Sequence, residues 1–363
     1  MTTITNPATE FKSSPTAFLN VLRIFACLMV LTVHSGEFFY IGPVGDIIRT
    51  HHVWVNNYGS LMRACVPLFV MISGYLLLPI KEAPEVFYKK RFTRLLVPFL
   101  FWSAMYAIVP YFKGEFTSAQ MWQGLYIIPI NFNGPAGHLW FVYMFIGIYL
   151  FIPIISPWVQ TASQNFKLFF LGIWMVTLFV PYIRTVFPEV WGEAFWNRFS
   201  GLHYFSGYIG YLILGHYIRG YVKLSKGATA TIGLLLIITG YFITRQVFAH
   251  QMPIAKTIPE LELSWAFPTI NVAFVATGFF LLFSLIKIKS PGLEKFLAGV
   301  SGLTYGMYLA HILILVVLFG PINNWLHNDS KLVIPILAVS CFIVTYLLIK
   351  ILSYLPGSKY IVG

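Results

Sequence analysis

The residues best suited to chemistry are few, and they lie inside apolar stretches. Arg23 and His34 are eleven positions apart in one such stretch. At ~100° per residue, eleven steps return to within ~20° of the start, so on a helix both side chains share a face. Their axial separation would be roughly 16 Å. Glu37, one turn past His34, falls on the same face. A guanidinium in hydrocarbon is costly and normally faces an interior cavity. An imidazole titrates near neutrality and serves as a general base or as a transient carrier of a transferred group. Plainer roles compete: Arg23 snorkelling to headgroups, and His34 as a hydrogen-bonded interfacial residue.

Four further groups stand out. Arg63 is near the outer end of the second apolar stretch, where Pro67 predicts a kink and Gly74 a close approach of a neighbouring helix. The run Lys89-Lys90-Arg91-Phe92-Thr93-Arg94 places Arg91 and Arg94 at i, i+3 on a helix start. Two guanidinium forks there suit phosphate, although such a cluster also serves as a positive-inside stop signal. The fourth stretch opens Gly137-His138-Leu139-Trp140-Phe141-Val142-Tyr143, with His138 at the depth of His34 and Trp140 also suited to the interfacial aromatic belt. The ninth carries Tyr305, Gly306, Tyr308 and, near mid-span, His311. There is no HExxH, CxxC, P-loop or GxSxG pattern, so no metal site is expected. Cys27, Cys65 and Cys341 fall inside spans and read as small packing residues.

The elements that must position these residues follow from composition. Hydrophobic residues make up 58% of 363 and charged residues 10%, with a mean hydropathy of +0.76. A water-soluble domain is nearer a quarter charged. Runs long enough to cross a bilayer occupy roughly 17–36, 58–80, 94–112, 136–154, 167–186, 202–220, 229–249, 266–286, 303–320 and 332–354. The expected fold is therefore all-α, a polytopic bundle of about ten transmembrane helices. Residues 1–16 and 355–363 form short cytoplasmic tails around a membrane domain at 17–354. The first run lacks a cleavage site and reads as an uncleaved helix.

Charge sets the orientation. With the N-terminus inside, the inner segments hold 15 of the 24 Lys and Arg against four acids, and the outer segments hold eight of each sign. Short basic loops stay cytoplasmic. An even number of spans returns the C-terminus to that side. The net charge of +12 then points to anionic lipid heads or a phosphorylated cytosolic ligand, and not to nucleic acid.

Taken in order, these marks resemble the acyltransferase family 3 integral membrane proteins. More narrowly they resemble its surface-polysaccharide O-acyltransferases, the group that includes the enterobacterial common antigen O-acetyltransferase. Arg-x10-His matches as Arg23 and His34, and R-x-x-R as Arg91 and Arg94. The segments Arg63 to Tyr75, His138 to Phe141, and Tyr305 to His311 also fit. Glu37 is outside the family pattern. No extracytoplasmic esterase-like domain is appended.

The resemblance implies an enzyme of the bacterial cytoplasmic (inner) membrane that moves an acyl group, acetyl first, from acyl-CoA to a hydroxyl of a cell-surface polysaccharide or its lipid-linked precursor. The acyl-CoA would be a substrate, with no tightly bound cofactor. Arg23, Lys89, Lys90, Arg91 and Arg94 would hold it. His34, with Glu37, would act on the hydroxyl or carry the acyl group. Arg63 or His138 would stabilise the oxyanion, and Trp140, Tyr143 and His311 complete the acceptor side. The rival class is a transporter or flippase for a lipid-linked glycan or small anion. Transporters often show two related halves, and no such symmetry is visible here. A third reading is a sensor or export partner in a polysaccharide assembly complex.

Overall fold

The computed structural model describes residues 14–188 and 200–363. Most of the expected N-terminal tail, with Glu10 and Lys12, and the loop charges Glu189, Glu193 and Arg198 lie outside the described residues. The chain is a helix bundle, and the one extended feature among the described residues is an isolated bridge between Ile41 and Ile47.

The helices are α1 (Ala17–Glu37), α2 (His52–Met62), α3 (Cys65–Leu77), α4 (Pro84–Phe112), α5 (Ser118–Tyr126), α6 (Trp140–Thr161), α7 (Gln164–Thr177), α8 (Val180–Val186), α9 (Tyr208–Tyr221), α10 (Lys226–Gln251), α11 (Ile258–Leu261), α12 (Ile270–Ser284), α13 (Pro291–Trp325), α14 (Ser330–Leu352) and α15 (Lys359–Val362). Among the described residues, nine helical segments are long and apolar enough to cross a membrane. The protein is a multi-pass membrane protein.

Local chemistry sets the boundaries. Pro84 and Pro291 occupy first-turn positions where their missing N–H costs nothing. Ser163, Ser225 and Ser290 cap α7, α10 and α13 through their side-chain oxygens. The second crossing is split into α2 and α3 around Arg63 and Ala64. Pro67 explains where: it has no N–H to offer the carbonyl four residues back, which is that of Arg63. The expected kink thus falls just before the proline, at the α2–α3 junction, with the Arg63 carbonyl left free of the helical ladder while its N–H still donates to Gly59.

The expected sixth span, 202–220, is not one continuous helix. A 3-10 turn at Ser200–Phe205 is followed by Gly207, whose φ of +80° breaks the path, and then by the 14-residue α9. At ~1.5 Å per residue α9 covers only about 21 Å. It lies alongside α3 in a close reciprocal contact. A Cβ on Gly74 would sit 1.8 Å from the Leu212 carbonyl oxygen, and one on Gly215 would sit 2.0 Å from that of Met71. The sequence expectation of a close approach at Gly74 is met by this helix. Gly233, Gly240 and Gly278 allow the same intimacy between α10 and α12.

α1 is the hub. It contacts α2, α3, α12, α13 and α14, so the face carrying Arg23 and His34 looks into protein and not into lipid. The segment expected as a short C-terminal tail, 355–363, ends in α15, which packs on α4, α13 and α14. Trp102 Nε1–H donates to the Ile361 carbonyl at 3.0 Å, and Val362 is buried. The three cysteines are free and buried.

Candidate active site

Two cavities lie end to end inside the bundle. The first, about 290 Å³, is lined by Arg23, Arg91, Arg94, Tyr149, Ser301 and Gly363, among others. The second, about 490 Å³, is lined by His34, Glu37, Arg63, His138, Trp140 and Glu262, among others. Phe69, Phe141 and Tyr308 belong to both linings. The helical face shared by Arg23 and His34 therefore runs from one cavity into the other.

In the arginine cavity, Arg23 donates to Ser301 Oγ at 3.3 Å. Arg91 lies 5.6 Å from the centre of the Phe87 ring. Its Nε–H is buried and has no hydrogen-bond acceptor among the described residues. A buried donor without an acceptor is uncommon. Three guanidinium groups around one cavity, with this donor unspent, make a site for an anion with several oxygens. Lys89 and Lys90 are not part of it. Both are exposed and absent from the lining, and Lys90 is paired with Glu82. The helix already begins at Pro84, so Lys89 points some 200° away from Arg91.

In the histidine cavity, the His34 Nδ1–H donates to Glu37 Oε2 at 2.8 Å. That pairing fixes the tautomer and leaves Nε2 as the basic nitrogen. Glu37, which lay outside the family pattern, thus has a clear positioning contact. The His138 and His311 rings sit 6.2 and 5.1 Å from His34, and 4.9 Å from each other. His138 lines the cavity, and neither of its ring nitrogens has a hydrogen-bond partner among the described residues. His311 is fully buried, with Nδ1 2.5 Å from the Tyr308 carbonyl, and is absent from the lining. No group of three or more His, Cys, Asp or Glu among the described residues is arranged to hold a metal ion.

Arg63 reaches the cavity wall through an ion pair with Glu262 at 2.8 Å and a hydrogen bond to the Tyr40 hydroxyl at 3.0 Å, over the Trp265 ring at 4.7 Å. Tyr40 in turn donates to the same Glu262 oxygen. Arg63, Glu262 and Phe267 also line an adjoining groove of about 660 Å³. Trp140 stacks on Phe267 with ring centres 5.4 Å apart. Tyr143 is elsewhere: its hydroxyl donates to the Ile128 carbonyl at 2.7 Å, and it lines neither cavity.

Sequence reasoning missed Glu262, Tyr40 and Ser301. Glu262 is 199 residues from Arg63 and sits in a loop whose acids carry no spacing signal. Tyr308 was visible in the Tyr305 to His311 motif, but nothing in that motif marked it as a wall of both cavities.

A cation-lined cavity beside a carboxylate-paired histidine could bind an anion in one part and do proton-transfer chemistry in the other. The family comparison gives the class of protein. The chain belongs to the acyltransferase family 3, whose acyltransferase domain matches residues 16–354. It is 21% identical over 308 residues to the "Putative membrane-bound acyltransferase YfiQ" of Bacillus subtilis (strain 168), covering 82% of this chain and 80% of that protein. No solved structure matches the chain.

Proposed function

We propose that the protein is an O-acyltransferase of a bacterial cytoplasmic membrane. It takes an acyl group, acetyl first, from acyl-CoA on the cytoplasmic side and passes it to a hydroxyl of a cell-surface glycan or its lipid-linked precursor on the other side. The supporting observation is the end-to-end pair of cavities, arginines in one and the His34–Glu37 pair in the other.

In this reading Arg91 and Arg94 grip CoA phosphates and the arm extends past Arg23 toward His34. The acceptor occupies the histidine cavity and the adjoining groove, its hydroxyl directed to His34. His34 Nε2 removes the hydroxyl proton as the oxygen attacks the thioester carbonyl carbon. The oxyanion forms near Arg63 and His138, whose N–H groups stabilise it. The C–S bond then breaks, and the CoA sulfur recovers the proton from His34. The products are an ester and CoA thiol. Glu37 holds the imidazole in the required tautomer and stabilises it while it is protonated.

The donor half is tested by binding. Arg91→Ala combined with Arg94→Ala should weaken CoA binding by about 1.5–3 kcal/mol per lost charged hydrogen bond, measured by titration of the purified protein. Arg91→Lys should retain part of it, since an ammonium lacks the fork. Unchanged affinity in the double variant would move the phosphates away from this cavity.

A further inference from the structure

Three rings line the junction of the two cavities. Phe141 stands between the other two, its ring centre 5.7 Å from that of Phe69 and 5.0 Å from that of Tyr308. Phe145 braces it at 4.6 Å. Tyr308 is buried and anchored, its hydroxyl donating to the His138 carbonyl. Phe69 and Phe141 are only half-buried, and in the proposal below they are the rings that move. Phe69, Phe141 and Tyr308 are the whole overlap between the two linings, so no charged side chain stands at the junction.

We infer that Phe69, Phe141 and Tyr308 form a selectivity gate that passes short, uncharged acyl groups to His34 and turns back long or carboxylate-bearing ones. This rests on the proposal that acyl-CoA is the donor. The acyl group is the leading end of such a donor, so it meets the rings before the thioester can reach His34. Ring side chains move between a few discrete rotamers, and two of them in contact open only a narrow slot. A terminal carboxylate in that slot would lose its water and find no donor, because the one polar group present, the Tyr308 hydroxyl, is already committed. A long chain would have to hold both phenylalanines displaced along its length.

The test uses the full-length protein in nanodiscs, with surface glycan isolated from cells lacking the gene as the acceptor. Acetyl-CoA, butyryl-CoA and succinyl-CoA are compared as donors by release of CoA thiol. CoA affinity reports that the donor cavity is intact. The parent should favour acetyl over butyryl by at least ~10-fold, within the range that small misfits of size produce, and should barely use succinyl. Phe141→Ala should raise the butyryl-to-acetyl ratio by at least ~10-fold, a ratio from which any change in CoA affinity shared by the two donors cancels. Phe141→Leu and Phe69→Ala, milder changes to the packing, should move the ratio in the same direction. Ratios equal to the parent's in variants that still transfer acetyl would overturn the gate and leave the donor proposal standing. Equal use of succinyl-CoA and acetyl-CoA by the parent would also overturn it. Absence of any His34-dependent thiol release from acetyl-CoA would instead remove the donor proposal, and the gate's acyl selectivity with it.

Discussion

At the scale of single residues, the proposed chemistry turns on which nitrogen of His34 is basic. The 2.8 Å contact from Nδ1 to Glu37 settles that, and it explains an acid that family resemblance did not account for. Glu37→Gln keeps the size and one hydrogen bond but permits the wrong tautomer. It should lower the transfer rate by one or more decades, toward the ~10⁴-fold loss typical when the carboxylate behind a catalytic histidine is replaced. CoA affinity should stay constant. Steady-state rates alongside CoA titration check this, and equal rates in variant and parent would reduce Glu37 to a packing role. Arg23, His34 and Glu37 were legible because helical period alone puts them on one face. The Arg63–Glu262–Tyr40 cluster was not, because tertiary folding brings Glu262 from a loop with no pattern of its own. Lys89 and Lys90, which the resemblance joined to Arg91 and Arg94, are absent from the cavity lining because a helix that begins at Pro84 distributes the basic run around its axis.

At the scale of elements, the site depends on helices that approach more closely than side chains usually permit. α3 carries Cys65, Val66 and Phe69 into the cavity walls, and its position is set by the glycine contact with α9. Gly74→Ala would place a methyl 1.8 Å from the Leu212 carbonyl oxygen. The backbone must then separate, at a cost of about 1–3 kcal/mol or more. Thermal unfolding in detergent should show a lower midpoint for this variant, whereas Gly172→Ala, where nothing lies within 4 Å, should behave like the parent. Hydropathy located about half of the spans to within a few residues at both ends, and started α4 and α13 well after Pro84 and Pro291, where they begin. It could not show that the second is broken at Arg63 or that the sixth is shortened at Gly207, because both breaks depend on backbone geometry, and an average over apolar character does not register it. Both breaks lie at cavity walls: Arg63, beside the first, lines the histidine cavity, and Gly207, at the second, lines the adjoining groove.

At the scale of the whole molecule, the two cavities give the bundle a direction. In the proposed orientation, which follows the positive-inside pattern, the arginine cavity faces the cytoplasm and the histidine cavity the far side. α10 runs from Lys226 to Gln251, so reporters fused after Lys226 and after Lys256 should lie on opposite sides, the first cytoplasmic and the second extracytoplasmic. The reverse pattern would put His34 on the donor's side and remove the reason for a two-cavity design.

The most direct test of transfer across the bundle uses proteoliposomes of defined orientation. Radiolabelled acetyl-CoA is supplied only on the Arg91–Arg94 side, and surface glycan from cells lacking the gene only on the His34 side. The expected result is labelled acetyl ester on the glycan, no product when donor and glycan are exchanged between sides, and a loss of ~10²–10⁴-fold with His34→Gln at unchanged CoA affinity. Product formed equally from either side, or formed by His34→Gln at the parent's rate, would contradict it.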